Sequence, residues 1–167
     1  MRSTVHHVGF SVDNLEKSIA FYEAGFGLEV VDRCIFSGPE LSEVVNVPNA
    51  TLEYAFMAGE NVVLELIEYK EPKGRPFDRR NNDVGTGHIC FVVDDLDATY
   101  QRLLGLGVVF NSPPREAPMD PPFCGLKYTY CRDINNVTIE LYQPGTGDLS
   151  LPKLLAAGKR LMAQGQA

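Results

Sequence analysis

The chain has 167 residues, of which 44% are hydrophobic and 22% are charged, and its formal net charge is −7. This composition is typical of a soluble globular protein, and the negative charge argues against nucleic acid as a partner, because phosphates call for a basic surface. No apolar run approaches the roughly 20 residues of a membrane-spanning helix, so we also expect no membrane partner.

The first elements along the chain are a strand around "HHVGFSV" and the helix that follows it. Asp13 and Glu16 stand where an N-cap residue and a third-position acid would begin that helix. Three further strands are predicted over residues 28–36, 51–57 and 62–69, where apolar stretches are bounded by turn residues.

The same order of elements then repeats after a linker, residues 71–85, that is rich in Gly, Pro and charge. "HVGFSVDNL" in the first half corresponds to "HICFVVDDL" in the second, so Asp94 and Asp97 would begin the second helix. The sequence therefore predicts an α+β protein with two tandem βαβββ modules, residues 4–70 and 86–143, within a single domain spanning residues 1–167.

The second module is predicted to close with three strands, over residues 108–111, 127–132 and 137–142. The turn "RDINN" between the last two strands suits a hairpin, because Asn135 and Asn136 tolerate left-handed backbone angles.

Two long connectors and a tail lie outside the repeat. "FSGPELSEVVNVPNA" and "NSPPREAPMDPPFCGLK" are each either a lid over a pocket or a stiff surface connector. The tail, residues 149–167, predicts an amphipathic helix from Pro152 that packs on the body of the protein or on a partner subunit, and we expect a homodimer. Its apolar side would carry Leu151, Leu154, Leu155, Leu161 and Met162.

The cysteine pattern indicates the compartment. The four cysteines are Cys34, Cys90, Cys124 and Cys131, and they form no C-x-x-C motif. Reduced thiols are therefore expected. The N-terminal stretch lacks the unbroken apolar segment of a signal peptide, so we predict a cytoplasmic protein.

The strands of both modules place ionisable residues opposite an apolar face. This holds for His7 and Glu65 in the first module and for His88 and Glu140 at the matching positions of the second. If the two sheets face each other, the four side chains converge, and two imidazoles with two carboxylates suit a divalent transition metal. The alternative is that this polar face is the solvated side of an open sheet.

His6 precedes His7 directly. Neighbouring residues of a strand point to opposite faces, so we expect His6 to be a strand residue near the surface with no part in the site.

Three segments resemble the vicinal oxygen chelate superfamily: "HHVGFSVDNLEKSIAFYEAGFGLEVV", "GTGHICFVVDDLDATYQRLLGLGV" and "YTYCRDINNVTIELYQP". That superfamily includes glyoxalase I, methylmalonyl-CoA epimerase, extradiol dioxygenases and fosfomycin-resistance proteins. The resemblance implies paired βαβββ modules that form an open barrel around one divalent metal ion (Zn, Ni, Co, Mn or Fe). By position, it implies His7, Glu65, His88 and Glu140 as the ligands. The glutathione-binding residues of glyoxalase I are not recognisable.

The resemblance implies an isomerase, epimerase or lyase that removes a proton next to a metal-chelated carbonyl. The substrate would be a small 2-oxo compound, hemithioacetal or acyl thioester. One acidic ligand would act as the base, with Glu140 favoured and Glu65 as the alternative.

Two other activities are open. An extradiol dioxygenase is supported by Tyr130, but four ligands leave few open positions and no further histidine stands on the right face. A drug-binding resistance protein is less favoured, because such members commonly lack the full ligand set that this chain keeps.

Candidates for lining the substrate pocket indicate a partly apolar substrate; they are Tyr130, Tyr142, Cys90, Phe123 and Met57. The basic segment "EPKGRPFDRR" either binds an anionic tail such as a CoA phosphate or is a solvated linker.

Overall fold

The computed structural model describes residues 3–121, 123–147, 152–156 and 159. They divide into two compact units. The first runs to Asp78 and also includes Ile134–Asn136, and the second comprises the remainder. Among the described helices, none has the length and apolar character needed to cross a membrane.

The first unit is a four-stranded mixed sheet with one long helix. Its elements are β1 (Val8–Ser11), α1 (Leu15–Phe26), β2 (Glu29–Ser37), α2 (Pro39–Val44), β3 (Thr51–Ala58) and β4 (Val63–Glu71). The strand order is β1-β4-β3-β2, with β1 parallel to β4 and the other pairs antiparallel. Apolar residues on alternate positions of β4, such as Leu64 and Leu66, are fully buried together with Leu15 and Tyr22 of α1.

The second unit repeats this topology. Its elements are β5 (His88–Val92), α3 (Leu96–Gly105), β6 (Arg115–Glu116), β7 (Lys127–Arg132) and β8 (Thr138–Gln143), in the strand order β5-β8-β7-β6. Again the first strand runs parallel to the last and the others are antiparallel. Leu96 and Leu103 of α3 are fully buried, as are Ile139 and Leu141 of β8. The predicted α+β class and the duplicated βαβββ order are confirmed.

Both helices begin one residue later than the sequence predicts. The N-cap of α1 is Asn14, whose Oδ1 accepts from the Lys17 amide, and the N-cap of α3 is Asp95, which accepts from the Ala98 amide. The prediction of Asp13 and Asp94 is wrong, because two cap-forming residues stand side by side at each helix start and sequence alone does not choose between them.

In each unit, a side chain from the last strand accepts a hydrogen bond from the first residue of the long helix. Glu68 of β4 accepts a hydrogen bond from the Leu15 amide, and Gln143 of β8 accepts one from the Leu96 amide, both at 2.9 Å. These acceptors satisfy backbone donors that the first helical turn leaves without partners. The two side chains occupy the same place in the repeat, one charged and one neutral.

The connectors differ most from prediction. The first contains α2, which has Pro39 at its start. In the second unit, the strand predicted over 108–111 is reduced to one bridge between Phe110 and Cys131, and the pairing resumes at the two-residue β6. Pro113 and Pro114 separate these fragments, and proline offers no amide hydrogen to a strand ladder.

The tail is helical over residues 152–156. Leu154 and Leu155 are 51% and 57% exposed. The other predicted apolar residues of the tail, Leu151, Leu161 and Met162, lie outside the described residues.

The turn before β8 belongs to the first unit. Asn135 accepts from the Asp13 amide at 2.9 Å and donates to the Ser18 hydroxyl at 3.0 Å. Asn136 has φ of 69° and donates to the Phe77 carbonyl. The left-handed angle expected in this turn is therefore present at Asn136.

Candidate functional site

In the first unit, Glu65 lies in the middle of the sheet. Its strand, β4, pairs with β1 on one side and β3 on the other, and the carboxylate side chain is 19% exposed. His7 is the residue just before β1, and its Nε2 lies 3.2 Å from Oε2 of Glu65. Phe56, opposite Glu65 on β3, supports the imidazole, with ring centroids 5.2 Å apart. The structure thus brings together two of the predicted ligands.

The sequence predicts that His6 and His7 lie on opposite faces of a strand, but in the structure their side chains are in contact. The Nδ1 atoms of the two histidines are 2.8 Å apart, and their rings meet edge to face at 5.1 Å. The prediction fails because β1 begins only at Val8, so the alternation of a strand does not extend to these two residues.

Gly9 leaves space for the Glu65 carboxylate. The two residues are partners in the β1–β4 register. A Cβ atom at position 9 would lie 3.2 Å from Oε2 of Glu65, which is tighter than nearly all real contacts of this kind. The absence of a side chain here therefore permits the carboxylate to point where it does.

The second unit contains the matching pair. His88, the first residue of β5, places its Nε2 3.1 Å from Oε2 of Glu140 on β8. Tyr130 lies opposite Glu140 on β7, and its ring centroid is 5.7 Å from that of His88. The predicted ligands of this module are therefore also neighbours.

Glu140 has two hydrogen-bond donors besides its histidine. Desolvation, followed by a hydrogen bond to Glu140, raises the pKa of the Tyr130 phenol to about 12. Desolvation also raises the pKa of the Cys90 thiol to about 12, assisted by the charge of Glu140 and a hydrogen bond to it. Cys90 is the β5 partner of Glu140, the position that Gly9 holds in the first unit. Both groups therefore remain protonated near neutral pH and can donate to the carboxylate.

Each unit by itself supplies one histidine and one glutamate. Within neither unit do the described residues form a group of three or more His, Cys, Asp or Glu side chains suited to a metal ion. The four-ligand centre predicted from the sequence thus stays a prediction, and the structure shows only that each histidine lies beside one glutamate.

The predicted pocket-lining residues fall into two groups. Tyr130 and Cys90 contact Glu140, and the pKa of Tyr142 is raised by desolvation and by the nearby Cys90 and Glu140. Phe123 is 46% exposed in the loop before β7 and stays a prediction. Met57 is wrong as a lining residue: it is fully buried, and it pairs with Leu64 on the core face of the sheet.

A row of aromatic rings continues from His7 across the first sheet. The Phe56 and Tyr54 centroids are 4.9 Å apart, and Tyr54 stacks on Phe36 at 5.8 Å with an interplanar angle of 13°. The Tyr54 hydroxyl donates to Asp32 at 2.6 Å. Sequence reasoning missed this row, although Tyr54 and Phe56 alternate with buried residues, which is the signal of a shared face.

Comparisons with known proteins agree with this architecture. A family model described as the Glyoxalase/Bleomycin resistance protein/Dioxygenase superfamily matches residues 4–141. The chain is similar to a 2-epi-5-epi-valiolone epimerase from Actinomyces sp, with 29% identity over 130 residues, which cover 75% of this chain and 71% of the relative.

Two solved structures are similar in fold. A glyoxalase family protein from Bacillus cereus matches with a TM-score of 0.72 and 21% identity, over 84% of this chain and 93% of that one. The fosfomycin resistance protein FosX from Listeria monocytogenes, in complex with Mn(II) and sulfate, matches with a TM-score of 0.57 and 21% identity, over 93% and 99% of the two chains.

Proposed function

Because the chain belongs to the glyoxalase, bleomycin resistance protein and dioxygenase superfamily, we propose that it is a divalent-metal-dependent isomerase, epimerase or lyase acting on a small molecule. The observation that carries this proposal is the duplicated pair: His7 with Glu65 at 3.2 Å and His88 with Glu140 at 3.1 Å. Two copies of one donor pair, at matching strand positions, support the set of two imidazoles and two carboxylates that the resemblance to this superfamily implies.

The spacing within each pair fits a shared metal ion. Two ligand atoms bound to one ion at about 2.1 Å each lie about 3.0 to 3.4 Å apart, depending on the angle between them. Imidazole nitrogen and carboxylate oxygen suit Zn, Ni, Co, Mn and Fe alike. The four residues would hold the ion, which would polarise two neighbouring oxygens of the substrate and favour loss of the adjacent proton.

We assign the proton transfer to Glu65 rather than to Glu140, the residue favoured by the sequence. Tyr130 and Cys90 are the strand partners of Glu140 and, being protonated, can each donate to it, which fixes the direction of the carboxylate, so Glu140 is better suited to remain a ligand. Glu65 has Phe56 where Glu140 has Tyr130, and Gly9 leaves space beside it. A carboxylate with fewer donors and more space is the better base.

The aromatic row supports a partly apolar substrate. Phe36 is 48% exposed, and Tyr54 and Phe56 are half-buried on the face that carries Glu65. Burying exposed ring surface against an apolar group is favourable, so this face would bind the carbon framework of the substrate while the oxygens face the ion.

An extradiol dioxygenase is the second candidate. One observation removes an argument against it. His6 lies beside His7, so its position does not argue against a histidine near the reacting atoms. The four-ligand set still argues against this activity, since a ring-cleaving enzyme needs open positions for substrate and oxygen.

Metal content tests the proposal first. Purified protein should contain about one divalent ion per chain. His7→Ala and His88→Ala should each lose the ion, and Glu60→Ala, a change of an exposed glutamate in the turn before β4, should keep it. Protein that binds no ion after incubation with Zn²⁺ or Mn²⁺, and instead binds a planar antibiotic, would be a resistance protein.

Solvent deuterium exchange then separates the two chemistries. Incorporation of deuterium into 2-oxo acids, hemithioacetals or acyl thioesters, lost in Glu65→Gln, would support proton abstraction. Oxygen uptake with catechols, in the absence of such exchange, would overturn the proposal in favour of the dioxygenase.

A further inference from the structure

We infer that His6 is a positioning residue for His7: a hydrogen bond between their Nδ1 atoms holds the His7 imidazole so that its Nε2 faces Glu65. The inference rests on the proposed function for its purpose, because His7 needs a fixed direction only if Nε2 binds something. The evidence is geometric. The Nδ1 atoms are 2.8 Å apart, and Nε2 of His7 is 3.2 Å from Oε2 of Glu65.

At this separation one nitrogen of the pair must carry a hydrogen and the other must accept it. Binding of a metal ion through Nε2 of His7 uses the lone pair of that atom, so the ring hydrogen must sit on Nδ1 of the same ring. Nδ1 of His7 is then the donor and Nδ1 of His6 the acceptor. A second residue that accepts the ring hydrogen of a metal-binding histidine fixes both its tautomer and its ring direction.

The two modules explain why His7 needs this support. His88 is the first residue of β5, and its backbone is held in register with Thr138 of β8. His7 precedes β1, whose pairing with β4 begins at Val8 and Leu64. His7 therefore lacks the strand pairing that His88 has, and the hydrogen bond to the His6 ring restrains it instead.

Phe56 completes the arrangement. Its ring contacts His7 at 5.2 Å and His6 at 6.0 Å, so one phenyl ring packs against both imidazoles. The Nδ1 atom of His6 is occupied by its hydrogen bond to His7. The geometry therefore gives His6 the role of a support for His7.

Affinity for Zn²⁺, measured by competition with a chromophoric chelator, tests the role. His6→Ala should weaken binding about 10- to 100-fold, the range found when such supporting partners are removed. His6→Phe keeps a ring but no acceptor and should behave like His6→Ala. His6→Asn restores an acceptor oxygen and should recover most of the affinity. Gly87→Ala is the matched control before His88, since a Cβ there meets nothing within 4 Å, and it should change nothing.

A nuclear magnetic resonance measurement reports the hydrogen bond itself. A ¹⁵N–¹⁵N coupling between the two Nδ1 atoms is expected in wild-type protein, whichever ring carries the hydrogen, and it should vanish in His6→Asn. The measurement uses metal-free protein as well as Zn²⁺-loaded protein.

The outcomes are distinguishable. Zn²⁺ affinities of His6→Ala and His6→Phe within about twofold of wild type would overturn the inference, as would absence of the coupling. If wild-type protein bound no Zn²⁺ or Mn²⁺, the proposed function would fail, and the coupling in metal-free protein would still decide whether His6 holds His7. His6 is exposed, so loss of fold is not expected, and the thermal midpoint of each variant verifies this.

Discussion

Tyr130 lies directly opposite Glu140 in the β7–β8 register, and its hydroxyl donates a hydrogen bond to the carboxylate. The corresponding position opposite Glu65 is Phe56, which has no donor. Together with Cys90 at the position of Gly9, this hydroxyl distinguishes two otherwise matching pairs. This difference leads to different roles for the two glutamates and to a direct test.

Exchanging the two aromatic residues should exchange part of their effects. Phe56→Tyr gives Glu65 a donor that stabilises its charged form, so we expect kcat to fall about 10- to 100-fold, since a hydrogen bond to a charged group contributes about 1.5 to 3 kcal/mol. Tyr130→Phe should weaken metal binding several-fold and leave kcat nearly unchanged. Both are measured with the substrate found by deuterium exchange. A larger loss of kcat in Tyr130→Phe would assign the base to Glu140.

Filling the space at Gly9 should weaken the site without weakening the fold. In Gly9→Val, the new Cβ displaces Glu65 Oε2 from its present position 3.2 Å away. Valine suits a strand better than glycine does, so the thermal midpoint should hold or rise. Affinity for Zn²⁺ should fall at least several-fold, and Gly74→Val, at a site with no neighbour within 4 Å, serves as the control. An unchanged affinity would mean that Glu65 has no fixed place in the site.

Acid should remove the stabilisation that Glu68 provides. Burial raises its pKa, but hydrogen bonds from Lys70, Lys73 and the Leu15 amide outweigh this and hold the pKa at about 2, below the ordinary 4.5. Because the folded-state pKa is lowered, the stabilisation is complete above about pH 4.5 and is lost as the pH falls toward 2.

Glu68→Gln makes this position resemble Gln143 of the second unit. We expect it to lower the free energy of unfolding at pH 7 by about 1 to 3 kcal/mol, after allowance for solvent screening at the exposed lysines. Urea unfolding at pH 7 and at pH 2.5 measures the difference, which should shrink in acid. A loss that is equal at both pH values would show that charge is not the cause.

Asn135→Ala removes two hydrogen bonds at the start of α1, one from the Asp13 amide and one to the Ser18 hydroxyl. Ser18 is fully buried, so its hydroxyl loses a partner that water cannot easily replace. We expect unfolding to become easier by about 1 to 3 kcal/mol in denaturant titrations. Ile134→Ala, a change of a neighbour whose side chain is 54% exposed, should have a smaller effect.

The internal repeat makes much of the fold predictable. The apolar residues around each His and around each Glu have the same local spacing in both halves, which predicts the buried faces, and Leu64, Leu66, Ile139 and Leu141 are indeed fully buried. The same spacing predicts a common face for the histidine and the glutamate of each module, and both pairs are in contact. The repeat therefore predicts well which side chains share a face of a sheet, because the alternation along a strand determines this.

The errors concern residues whose position the alternation of a single strand does not determine. The face of His6 is wrongly predicted because β1 starts one residue after His7, and strand ends depend on which backbone groups find partners in the sheet. The face of Met57 is wrongly predicted because its register with Leu64, set by pairing between separate strands, decides it. Neither pairing is visible in the local sequence.

The different backbone settings of the two histidines have a consequence for the kinetics of the proposed centre. Release of His88 would require part of β5 to separate from Thr138, whereas His7 can swing away while the β1–β4 ladder, which starts at Val8, stays intact. Segments outside a ladder open at a much smaller free-energy cost than those within it. The N-terminal imidazole would thus be the last donor to bind an incoming ion and the first to release it, and opening of the segment before Val8 would set the lifetime of the loaded state.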